Sequence, residues 1–202
     1  MTSTLFTDVH VFDGTGRDPF PAQVLVEGNR ITAVAGRIPH DLTATARVLD
    51  GGGGTLLPGL VDAHTHLGFG STVEHLSRHR DEPDEEKTLL VAHAGRVLLD
   101  HGITSAYSGG NRLPRTEIAA RKAFAEGWLP GPRLKAASWE GSAGMVEPGV
   151  YDFPGTDNRA SDPDSVARFV TDMAELGVDI VKLSLSGESA VVPGTSRIVQ
   201  FT

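Results

Sequence analysis

The stretch from Leu56 to Leu67 reads LLPGLVDAHTHL and ends an apolar run in two histidines, His64 and His66, one residue apart. On a β-strand alternate side chains share a face, so His64 and His66 point the same way, with Asp62 and Leu60 on that face too. Two imidazoles on one face at a strand's C-terminal end form half of a metal site. A bare His-x-His is short and common, and alone it reads more readily as two solvated histidines. Cysteine is absent, so there is neither a disulfide framework nor a thiolate site. Any metal must be held by His, Asp, Glu or a modified Lys.

The elements that must position these residues follow from local pattern. Leu5 to Phe12 reads as a strand, Gln23–Val26 and Arg30–Val34 as a hairpin about Gly28-Asn29, and Arg47–Asp50 as a further strand. The run Gly51–Gly54 is then expected to close a small β-domain, residues 1–54. From Thr55 the pattern changes. Three helix-period segments, Thr88–Asp100, Glu117–Glu126 and one opened by Asp162-Pro163, each end at a glycine and lead into an apolar strand. The strands expected are Ile103–Tyr107, Arg133–Ala137 and Val178–Leu185. With Leu56–Leu67 they make four parallel strands and three helices over residues 55–202. Such a series is either an open doubly wound sheet or the first half of a (β/α)8 barrel. HLGFGSTVEHL after the first strand lacks a Gly-x-Gly-x-x-Gly turn. In a barrel, the strands' C-terminal ends build the active site, where the His pair sits, and Lys182 lies well into the fourth strand.

Composition removes several function classes. The chain has 202 residues, 39% hydrophobic and 22% charged, enough for a buried core. Its formal net charge is -8, with both signs spread along the sequence, which argues against nucleic acid or an anionic membrane surface. No apolar stretch approaches the roughly 20 residues of a membrane span. MTSTLFTDVHVF has no basic, apolar secretory pattern, so a cytoplasmic location is expected.

Taken in order, these segments resemble the amidohydrolase superfamily, and within it the imidazolonepropionase-like and prolidase-like branch. DVHVFDGTG and VLVEGNRITAVAG are similar to that family's N-terminal β-sandwich strands. TLLPGLVDAHTHL resembles its first barrel strand, HGITSAYSGGN its second, EGWLPGPRL the approach to its third, and LGVDIVKLSLSG its fourth. The resemblance implies that His64 and His66 bind one of two divalent metals, with zinc expected. It implies that Lys182, carboxylated, bridges both. A free lysine, with a pKa of about 10.4, is a cation and no ligand; burial exposes a neutral amine that reacts with CO₂ to an anionic carbamate. The implied activity is hydrolysis of a C–N bond in an amide, cyclic amide or dipeptide-like small molecule by a metal-activated water. Asp62 is then a candidate to orient an imidazole, or simply a strand-end carboxylate with a backbone partner. Tyr107 and Trp139, at strand ends, are substrate-binding candidates with ordinary packing as the alternative. Glu140 could bind a substrate amine.

The family's centre also takes histidines from strands five and six and a catalytic aspartate from strand eight. This chain's eight histidines, His10, His40, His64, His66, His75, His79, His93 and His101, all precede Lys182, and no Asp follows it. The expectation is an N-terminal half of such an enzyme, an incomplete β-sandwich plus half a barrel. Alone it would be inactive, and it would be completed by a complementary half or a second copy in a homo-oligomer. The competing expectation is a non-catalytic or truncated fragment serving as an assembly module. Ser108 stands where relatives often carry an aspartate, and Ala143-Gly144-Met145 where they carry a glycine-histidine pair. His75 and His79 share a helix face by spacing, but their polar setting reads as solvated.

Overall fold

The computed structural model describes residues 2–69, 82–111, 113–141, 162–186, 194–197 and 199. The readings of His75, His79 and Ala143–Met145 fall outside the described residues. The chain divides into two compact units, Met1–Pro58 and Gly59–Thr202.

The first unit is a four-stranded sheet of β1 (Ser3–Val11), β2 (Phe20–Glu27), β3 (Arg30–Ala35) and β4 (Arg47–Leu56), in the order β3-β2-β1-β4. The β2–β3 hairpin turns at Gly28-Asn29 as expected, with Gly28 at φ 60. A four-residue helix, α1 (His40–Thr43), lies between β3 and β4. Both faces of the sheet carry apolar clusters. Leu5, Leu25 and Ile38 form one, and Val9, Val11, Ala22 and Val24 form another. Leu5 and Val9 belong to different clusters although their spacing would place them together. A bulge between Phe6 and Val9, with Asp8 at φ 50, flips the alternation. Among the described residues this unit holds one sheet; the second layer that a sandwich requires is not among them.

The glycine run does not mark the boundary. It lies inside β4, which pairs parallel with β1 through Thr7↔Asp50 and again through Val9↔Gly54. The intervening glycines bow outward, with Gly52 and Gly53 at φ 57 and 77, and the Gly52 N–H donates to Asp50 Oδ1 at 2.9 Å. A side chain at Gly51 would meet Val9 Cγ1 at 2.2 Å. The glycines thus allow a wide bulge against a bulged partner, and the unit runs on to Pro58.

The second unit contains two parallel ladders. β5 (Leu60–Thr65), β6 (Ile103–Ser108) and β7 (Arg133–Lys135) form one, in that order; β8 (Ala137–Gly141) and β9 (Ile180–Leu183) form the other. Only Ala136 separates β7 from β8, so the extended run from 133 to 141 changes partners there. The Ala136 carbonyl accepts the Asp179 amide at 2.8 Å and the Ile180 amide at 3.2 Å. The helices are α2 (Asp84–Asp100), α3 (Pro114–Ala125) and α4 (Pro163–Leu176). Helix α4 begins as its sequence dictates. Asp162 Oδ1 accepts the amides of Asp164 and Ser165, the Ser165 hydroxyl accepts the Asp162 amide at 3.0 Å, and Pro163 stands at the first helical position. Three acidic residues, Asp84, Glu85 and Glu86, open α2, where the helix dipole favours them.

The core of this unit joins Leu67, Val91, Ala94, Ala106, Ala120 and Leu134, with Leu98 and Phe124 packed against it. A side chain at either Gly95 or Gly131 would meet the Phe124 ring at 2.4 Å. Phe124 therefore sits where α2 and the approach to β7 both leave room. Among the described residues no helix is long and apolar enough to cross a membrane.

Candidate metal centre

The apolar run before the histidines belongs to two elements. Leu56 ends β4, β5 begins at Leu60 and ends at Thr65, and Leu67 opens a 3-10 turn, Leu67–Phe69. His64 thus lies near the end of β5, and His66 lies just past the strand. The pair still converges: His64 Nε2 stands 3.2 Å from His66 Nε2. Their rings meet edge to face with centroids 5.1 Å apart, and His66 stacks on Phe69 at 4.4 Å.

The other wall is the turn after β6. The Gly109 amide donates to the Thr65 carbonyl at 2.7 Å, and His66 Nδ1 donates to the Gly110 carbonyl at 2.8 Å. That bond assigns the ring proton to Nδ1 and leaves the Nε2 lone pair facing His64, the form in which a second-neighbour carbonyl prepares a ligand. A Cβ at Gly109 would lie 2.3 Å from His64 Nε2 and 2.8 Å from His66 Nε2. Only a glycine lets the backbone approach both imidazoles this closely. On the far side of Gly110, a Cβ would meet Lys182 Cγ at 3.2 Å. The two glycines therefore lie between the histidine pair and the stem of Lys182.

Lys182 is half-buried on β9, and its amide donates to Ser138 Oγ at 2.8 Å. Glu140 stands in register with it on β8 and accepts from the Ser184 hydroxyl. Burial lowers the pKa of His66, and the charges of His64 and Lys182 lower it further, while the Gly110 carbonyl and Glu140 oppose them. A lowered pKa keeps His66 neutral, the form that can ligate. The donor set fits a divalent cation: two Nε2 atoms face one spot, and the backbone beside them is trimmed to glycine. Among the described residues no cluster of three His, Asp or Glu side chains could hold a metal, so a third donor must be of another kind or come from elsewhere.

The remaining candidates take different places. Asp62 Oδ1 accepts the His64 backbone amide at 3.1 Å, the backbone partner that one of its two expected roles requires. Tyr107 is exposed, in register with Lys135. Trp139 is half-buried, and its Nε1 is buried with no hydrogen-bond partner among the described residues. His93 is exposed on α2, and His101 Nδ1 closes that helix on the Val97 carbonyl at 2.8 Å.

Sequence reasoning missed Gly109, Gly110 and Glu117. The glycine pair at a strand end was a visible signal. Glu117 offered one too, as a carboxylate three residues before Ala120 on the apolar side of its helix.

No family model matches the chain. An allantoinase of Streptomyces avermitilis is 32% identical over 174 residues, covering 78% of this chain and 36% of that protein. An imidazolonepropionase of Idiomarina loihiensis is 46% identical over 46 residues, 23% of this chain and 11% of that protein. The solved structure of a Xaa-Pro dipeptidase with methionine bound in its active site overlays on all of this chain, on 51% of its own, with a TM-score of 0.81 and 22% identity. The chain thus spans about half of that structure, and less of the curated relatives. With a mixed α/β fold and these relatives, the chain belongs to the amidohydrolase superfamily.

Proposed function

We propose that this chain contributes half of the metal centre of a hydrolase acting on the C–N bond of a small amide, cyclic amide or dipeptide-like substrate. The observation that carries this reading is the convergence of His64 Nε2 and His66 Nε2 at 3.2 Å beside Gly109, with Lys182 beyond Gly110. His64 and His66 would hold a divalent cation, zinc in the first instance, and Lys182, as its CO₂ adduct, would supply an anionic oxygen to a pair of such ions. A metal held there supplies Lewis acidity toward a carbonyl and activates water. The chain's own part is preparatory. Gly110 fixes the His66 proton on Nδ1, burial keeps that ring neutral, and Ser138 anchors the Lys182 backbone. The half-exposed Tyr107 and the Trp139 indole are placed in this reading as substrate contacts at the strand ends.

The fold counterpart of the proposal is a β-sandwich followed by the first half of a (β/α)8 barrel, in a cytoplasmic enzyme. The further donors would come from a complementary half or a second copy in a homo-oligomer. Metal analysis of the purified chain tests the site. We expect bound zinc in the wild type and its loss in a His64→Ala/His66→Ala variant; equal metal content in both would defeat the assignment. The second reading, a non-catalytic assembly module, draws on the lack of a three-donor cluster among the described residues. It predicts a wild-type chain that takes up no metal yet still assembles.

A further inference from the structure

Glu117 is the only charged side chain among the described residues that is buried, with no exposure at all. It lies in the first turn of α3, and its Oε2 accepts the Ala137 amide at 3.4 Å. Oε1 meets no hydrogen-bond partner among the described residues. An apolar side chain of similar size would avoid the cost of that buried oxygen, so the carboxyl adds nothing to the core that leucine would not. What it does touch is specific. Ser108 and Asn111 act on the carboxyl, drawing its pKa down against burial, and these two residues bracket Gly109-Gly110.

From that turn the contacts run to both sides of the site. Ser108 Oγ accepts the Gly110 amide at 3.2 Å, and the Gly110 carbonyl accepts from His66 Nδ1 at 2.8 Å. The Asn111 amide donates to the Ser138 carbonyl at 3.1 Å, and Ser138 Oγ accepts the Lys182 amide. We infer that Glu117 is a positioning residue for this site: through Ser108 and Asn111 its carboxyl holds the turn whose Gly110 carbonyl fixes the orientation and tautomer of His66. Burial also pushes the Glu117 carboxyl up to about 7, against the pull of Ser108, Asn111 and the Ala137 amide. At neutral pH it is therefore often protonated, able to donate as well as accept, and glutamine reproduces that shape.

The effect on His66 stands without a metal; its consequence for affinity rests on the metal role proposed above. The test is nitrogen-15 NMR of the histidine side chains in the wild type, E117Q, E117L and, as a control, V91A, which thins the same core without a polar link to the turn. We expect His66 to carry its proton on Nδ1 in the wild type, E117Q and V91A. In E117L it should become a mixture of tautomers, with zinc affinity lowered on the order of tenfold. A folded E117L with unchanged His66 would overturn the inference, as would V91A disturbing His66 equally. Should E117L not fold, S108A decides: a shifted tautomer supports the relay and an unshifted one overturns it. A wild type that keeps the Nδ1 tautomer but binds no zinc removes the metal reading and leaves Glu117's role intact.

Discussion

Two carboxylates grip consecutive amides of one extended run, one from the start of β9 and the other from α3. Asp179, just before β9, accepts the Ala136 amide at 2.9 Å and Lys135 Nζ at 3.2 Å, and it pairs with Arg121. Glu117, beside the end of β6, accepts the Ala137 amide at 3.4 Å and has no cation against it among the described residues. Burial raises the pKa of both. For Asp179 the Ala136 amide, Arg121 and Lys135 outweigh that rise, and its carboxyl sits below the usual carboxylate range. For Glu117 nothing outweighs it, and the carboxyl is pushed up to about 7. Arg121 follows Glu117 by one helical turn, close enough to neutralise it, yet it turns to Asp179 and to the Gly177 carbonyl at 3.0 Å. The start of β9 is built from satisfied charges. The turn after β6 is built from glycines and flanked by an under-satisfied acid.

The strongest test of this contrast is pH. The folded-state pKa of Glu117 lies above its ordinary value of 4.5. Between pH 4.5 and about 7 the folded chain therefore keeps a proton that the unfolded chain releases. The stability due to this group is full below that window and falls as pH rises through it, by about 3 kcal/mol at most. Urea unfolding at pH 5 and pH 8 should show this fall in the wild type and lose it in E117Q; identical slopes would break the comparison. Next comes Gly109→Ala. Its methyl would drive the imidazoles apart, lowering zinc affinity by about a hundredfold while the unfolding midpoint stays put, which titration and denaturation would separate. Asp179→Ala should do the reverse, costing about 1–2 kcal/mol while the His66 ring keeps its proton on Nδ1. The smallest effect belongs to the exposed Arg96–Asp100 pair on α2. Arg96→Ala should shift stability by less than about 0.5 kcal/mol, and a larger change would mean that surface charge matters here more than the contrast allows.

What could be read from the residues was what local chemistry decides. Asp162, Pro163 and Ser165 specify a helix start within four positions, and the β2–β3 turn at Gly28 is equally local. The face shared by His64 and His66 followed from strand alternation, although Thr65 ends the strand and His66 reaches its place through the turn. Where partners distant in sequence decide, the reading failed. Gly51–Gly54 resembles a linker until β1 is laid beside it, and only then is it a bulge matching Asp8. The third strand splits at Ala136 because β6 lies along one part and β9 along the other. Glu117 looked like an ordinary acid at a helix start because its burial depends on how α3 meets Ser108 and Ala137.

The change of neighbours at Ala136 also makes a seam. On one side β5, β6 and β7 share a ladder with the α2–α3 core; on the other, β9 is joined through β8 and through Asp179's hold on Ala136, Arg121 and Lys135. A chain divided so can open in steps rather than all at once. The Asp179 cluster then acts as a latch: acid, which discharges it, loosens β9 and with it Lys182, while the histidines stay seated on the ladder that remains.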